Sequence, residues 1–103
     1  MRELTAKQRR HLRALGQTLV ATLHVGHEGV SDAVVRQADA QLEVHELIKV
    51  RVGDNAPADR HGTAEELARR TRSHLAQVLG RTALLYRRRA EEPRIVFPAE
   101  ETL

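Results

Sequence analysis

After Val25 the chain reads Gly26-His27-Glu28-Gly29, two glycines separated by two residues. Glycine lets a backbone approach another group closely, and free N–H groups at the start of a following helix attract an anion. A loop of this kind can cradle a phosphate, with His27 adding a donor. It can equally be a tight strand-to-helix turn, and on spacing alone the turn is the simpler reading. Glu28 is the odd member, because a carboxylate repels a phosphate; it is expected to point away or to pair with a nearby arginine. The other residues suited to holding a polyanion are cations: Lys7, Arg9, Arg10 and Arg13 near the start, Lys49 and Arg51 in the middle, and Arg81, Arg87 and Arg88 further on. Each of these has a second reading as an ordinary solvated face.

Other chemistries find less support. There is no cysteine, so disulfides and thiolate metal sites are excluded and a reducing compartment fits. Six histidines raise the question of a metal, but His24 and His27, the closest pair, flank a glycine and no further ligand completes a tetrahedral set. No nucleophile elbow, phosphate-binding P-loop or HExxH sequence is present. A binding protein is expected rather than an enzyme, with no metal and no cofactor.

At 103 residues the chain fits one small domain with one modest core. No apolar run approaches the roughly 20 residues that span a bilayer. The N-terminal stretch of arginines before an apolar run is interrupted by Gln17, Thr18, Thr22 and His24, so a soluble, unprocessed, cytoplasmic protein is expected. The net charge of +3 is unevenly spread: residues 1–13 hold five bases and one acid, and residues 69–89 hold seven arginines and no acid. Acids dominate residues 28–66, nine against four bases. If the two basic blocks meet in the fold, they form one positive face suited to nucleic acid.

These residues must be placed by a short series of elements. Thr5 and Gln8 have the capping-box form, predicting a first helix with Leu12 and Leu15 inward and Gly16 as its stop. Alternating Leu19, Ala21, Leu23 and Val25 predict a strand ending at Gly26. Ser31 or Asp32 caps a second helix with Val30, Val34, Ala38 and Leu42 on one buried stripe. Ile48, Val50 and Val52 alternate with Leu47, Lys49 and Arg51, a half-buried strand with two cations on its open face. Residues 53–62 read as a loop, and Thr63 with Glu66 as the cap of a third helix. The run from Leu75 to Tyr86 is a hairpin turning at Gly80-Arg81. The order is α-β-α-β-α-β-β: a single α/β domain with a four-stranded mixed sheet and the helices packed on one face. Tyr86 invites base stacking, yet a lone tyrosine on a strand more often packs. Residues after Arg88 are expected to form a loosely held tail.

Four stretches together resemble one family. They are LTAKQRRHLRALG at 4–16, VGHEGVSDAV at 25–34, HELIKVRV at 45–52 and VLGRTALLYR at 78–87. In order and approximate spacing they are similar to the stand-alone CRM domains, the YhbY-like RNA-binding proteins. The resemblance covers residues 4–88 and leaves 89–103 outside as a C-terminal tail. It implies a fold similar to the C-terminal domain of a bacterial translation initiation factor, and it makes Gly26 to Gly29 the family's GxxG loop, which resembles the backbone clamp of KH domains. It implies binding of ribosomal RNA during large-subunit assembly, with ribosomal proteins as further possible partners and no membrane association. The RNA-binding residues it then singles out are Gly26, His27, Gly29, Lys7, Arg10, Arg13, Lys49, Arg51, Arg81 and Arg87. Glu28 departs from the polar or basic residues common at its position in relatives, and the proline that usually enters the first strand is absent. The alternative is a protein-interaction module that docks a ribosomal protein or another assembly factor through the open sheet face or the acidic second helix.

Overall fold

The structure is a computed structural model that describes residues 3–98. The first helix, α1 (Ala6–Gly16), opens with both capping-box bonds: the Gln8 N–H donates to the Thr5 hydroxyl and the Thr5 N–H to the Gln8 side chain. Strand β1 (Ala21–Val25) follows, then α2 (Asp32–His45), whose first turn is capped by the Ser31 hydroxyl. Strand β2 (Leu47–Val52), helix α3 (Arg60–Thr71) and the hairpin β3 (His74–Leu79) and β4 (Thr82–Tyr86) complete the order. The strands lie β1-β2-β4-β3, with β1 and β2 parallel and the other two pairings antiparallel, so the sheet is mixed as expected.

Helix α3 starts before its expected capping box. The Asp59 carboxylate accepts the Gly62 N–H at 2.7 Å, and Thr63 is buried inside the helix, its hydroxyl donating to the Ala58 carbonyl. A carboxylate is the stronger cap and complements the positive end of the helix dipole.

The placement of the helices on one face is corrected by the packing. On one side of the sheet Leu23, Val25, Ile48, Val50 and Leu85 meet Ala38 and Leu42 of α2 and Leu67 and Ala68 of α3. On the other, Leu47, Leu84 and Tyr86 meet Leu12 of α1. Neighbouring strand residues point to opposite faces, so Leu84 and Leu85 belong to different layers by necessity. Leu12, Leu42 and Leu67 are fully buried, each worth roughly 1.5–3 kcal/mol of transfer free energy. The end of α1 seats directly on β4, where a side chain at Gly16 would collide with Leu84. Both faces need cover because β4 is apolar on both, and three helices divide between them.

The segment after Tyr86 is docked as far as Phe97. Ile95 and Phe97 join the α1 layer, with the Phe97 ring 5.5 Å from His11 and 5.7 Å from Tyr86. Glu46, fully buried at the end of α2 with φ 64°, holds this segment. Its carboxylate accepts the N–H groups of Arg89, Arg94 and Ile95, each at 2.8 Å. Residues 99–103 of the expected tail lie outside the described residues.

Candidate nucleic-acid interface

The loop between β1 and α2 is both a turn and more than a turn. The Gly29 N–H donates to the Gly26 carbonyl at 2.9 Å, and Gly29 has φ +67°, a region other residues enter only at a cost. A side chain at Gly29 would also press on Pro57, 3.3 Å away. The fold therefore requires glycine at 29. At Gly26 it does not, since φ there is not positive and a β-carbon would sit in ordinary contact with His24 at 3.7 Å. His27 and Glu28 are exposed at the tip, and Glu28 makes no ion pair among the described residues.

Two other loops stand at the same end of the sheet. The Gly53 N–H donates to the Val25 carbonyl, and the Val52 N–H to the Arg81 carbonyl at the hairpin tip. Arg81 is half-exposed, and its Nε bonds Asp54 at 2.7 Å, leaving the far end of the guanidinium available. Behind the GxxG loop Arg70 of α3 donates to the Val30 carbonyl at 2.6 Å and pairs with Asp32 at 2.7 Å. Arg70 thus fixes the chain just after Gly29. Sequence reasoning missed it, for nothing local links residues 38 and 40 positions apart.

Lys49 and Arg51 lie on the face that α1 covers, because their neighbours Ile48 and Val50 face α2 and α3. Arg51 pairs across strands with His24 of β1 and Thr82 of β4, beyond the part of the sheet under α1, and both Arg51 and His24 are exposed. His24 packs its ring beside Gly53, 3.2 Å from where a side chain there would begin. On α1, Lys7, Arg10 and Arg13 are exposed, whereas Arg9 is partly buried and donates to the Leu75 carbonyl at 2.7 Å. None of Lys7, Arg10, Arg13, Lys49 and Arg51 is in an ion pair among the described residues.

Arg87, by contrast, is fully engaged within the chain. Its guanidinium bonds Asp39, Glu43 at 3.0 Å and the Thr71 carbonyl at 2.8 Å, tying β4 to α2 and α3. Tyr86 is buried, stacked on His74 and edge-on to Phe97, so its ring packs rather than receiving a base. Burial raises its pKa, with the Glu46 charge adding to the effect, and burial lowers that of His74, with Arg9 adding to it. No group of three potential ligands among the described residues could hold a metal ion, and no helix among them is long and apolar enough to cross a membrane.

The CRS1 / YhbY (CRM) domain model matches residues 4–87, most of the chain. The chain belongs to this family. The CRM domain is 40% identical over 95 residues to a Bacillus subtilis protein named Probable RNA-binding protein YqeI, covering 92% of this chain and 99% of that one. It is 34% identical over 85 residues to the Probable RNA-binding protein PA4753 of Pseudomonas aeruginosa, covering 82% of each. A Staphylococcus aureus protein solved in solution superposes with a TM-score of 0.79 at 39% identity, over 92% of this chain and 99% of its own. The match of the CRM domain ends at Arg87, so the docked segment that follows lies beyond it.

Proposed function

We propose that this CRM domain binds RNA, and that its RNA is ribosomal, held in the cytoplasm during assembly of the large subunit. The observation that carries this is Gly26: a half-buried glycine that the fold does not require, next to the exposed His27 at the end of a sheet whose cations Lys49 and Arg51 are in no ion pair among the described residues. A position kept free of a side chain without a conformational reason suits close approach by a phosphate backbone. The names of the relatives point the same way. Binding through phosphates makes the recognition one of shape rather than of base sequence.

The docking alternative through the acidic second helix loses support, because Asp39 and Glu43 of α2 are occupied by Arg87 and Asp32 by Arg70. A salt titration of binding to large-subunit RNA fragments tests the proposal. Affinity is expected to fall with a log-log slope of about −0.7 for each phosphate neutralised on a single strand, or roughly −3.5 for five contacts. Binding absent at low salt, or indifferent to salt, would overturn it.

A further inference from the structure

The α1 face also holds a cavity of about 500 Å³. It is lined by Leu15 and Leu19 from α1 and the connection after it, by Leu47 and Lys49 of β2, and by Thr22 and His45. The lining is mainly apolar and contains no acid; Lys49 carries its one permanent charge. Its volume lies within the range of about 300–1,000 Å³ usual for small-ligand sites.

What leads out of the cavity indicates its occupant. Lys49 and Arg51 share a face of β2, roughly 6.6 Å apart along the strand, a separation comparable to that of successive phosphates in an extended nucleic acid strand. Arg51 pairs with His24, and the His24 ring borders both Gly26 and Gly53. A track of cations and one imidazole therefore runs from the cavity to the glycine that the fold leaves unexplained. A duplex keeps its bases stacked and paired and could not fill an apolar pocket, whereas a single strand can turn one base out.

We propose that the cavity receives one unstacked nucleobase of a single-stranded RNA, with Lys49 on the adjoining phosphate and the strand continuing past Arg51 and His24 to the GxxG loop. This rests on the RNA-binding reading of that loop. An apolar side chain of a protein partner is the competing occupant, but it gives no reason for the track to end at Gly26.

The test uses the full chain and a short single-stranded RNA carrying 2-aminopurine at each position in turn, a base whose emission rises when it leaves the stack. Val20→Trp is the main variant: Val20 lines the cavity and is 76% exposed, so an indole there fills the space without disturbing the core. Thr22→Phe is the second, in case the first does not fold. The wild type is expected to show a rise at one position only. The filled variants should lose that rise and bind about tenfold more weakly, the order of one lost base contact, with an unchanged salt slope. If they bind as the wild type does with the rise intact, or if a duplex competes as well as the single strand, the inference is overturned. Should the wild type bind no RNA at all, the functional reading itself fails; should Gly26→Ala weaken binding while Val20→Trp does not, only the cavity is lost.

Discussion

The two faces of the sheet use the same residue types for opposite ends. Under α2 and α3 the layer is closed, and two arginines there are structural: Arg87 gathers two carboxylates of α2 and a carbonyl of α3, and Arg70 locks Val30 and Asp32. Under α1 the layer includes a cavity and leaves Lys49 and Arg51 in no ion pair among the described residues. Positive charge at Arg70 and Arg87 is neutralised within the chain, and at Lys49 and Arg51 it is available to an outside anion. Counting arginines therefore misleads unless each is asked what it already touches.

The contrast is broken most severely at Glu46, the residue that closes the α1 layer from behind. Burial alone would raise its pKa, but the N–H groups of Arg89, Ile95 and Arg94, with the Arg89 charge, outweigh it and hold the carboxyl below its ordinary value. Glu46→Ala leaves three part-buried N–H groups without their acceptor and is expected to cost about 3 kcal/mol by chemical denaturation. Because the folded-state pKa is depressed, the carboxylate contributes stability fully above its unfolded-state value of 4.5 and loses it as pH falls through the folded value. Glu46→Gln should flatten that acid limb of the stability profile; an acid limb as steep as the wild type's would show that other carboxylates produce it.

Next in size is a pair that separates the faces directly. Arg87→Ala should lose about 2 kcal/mol of stability, since its removal leaves Asp39 and Glu43 unpaired and the Thr71 carbonyl without its donor. Its RNA affinity should be unchanged once folding is allowed for. Arg51→Ala should do the reverse, staying within about 0.5 kcal/mol of wild type in stability while the salt slope becomes shallower by about 0.7. Equal RNA losses in both would dissolve the distinction between the faces.

The two glycines of the loop repeat the contrast on a smaller scale. Gly29→Ala is expected to cost about 1–2 kcal/mol through its positive φ and the contact with Pro57. Gly26→Ala should leave the melting temperature where it is and weaken RNA binding. A Gly26 variant that melts early would make this glycine a folding requirement like its neighbour.

Much of this was legible in the chain, and what was hidden has physical reasons. The capping box at Thr5, the stripe Val34, Ala38, Leu42 and the Gly80-Arg81 turn are local patterns, and local patterns determine local structure. The layer occupied by α1 is a long-range fact, yet a clue existed: Ala83, Leu84, Leu85 and Tyr86 are buried in succession, and a strand apolar on both sides needs cover on both. Ile95 and Phe97 alternate around Val96, a weak sign of docking that the prolines and charges of that segment obscured. The partners of Arg87, 44 and 48 residues away, had no signal at all, so its basic character was read as availability.

The smallest expected effect concerns Glu28, the acid at the tip of the GxxG loop. It is exposed and makes no ion pair among the described residues, so removing its charge releases nothing in the fold. Glu28→Lys should leave stability within about 0.5 kcal/mol of wild type. If the loop faces RNA, the substitution exchanges a repulsion for an attraction, and the salt slope should steepen by about 0.7 as one more phosphate is neutralised. Glu28→Gln, which removes the repulsion without adding a cation, should tighten binding less and leave the slope unchanged. Affinity unaltered by both variants, with Arg51→Ala still weakening it, would move the contact surface from the loop onto the open part of the sheet.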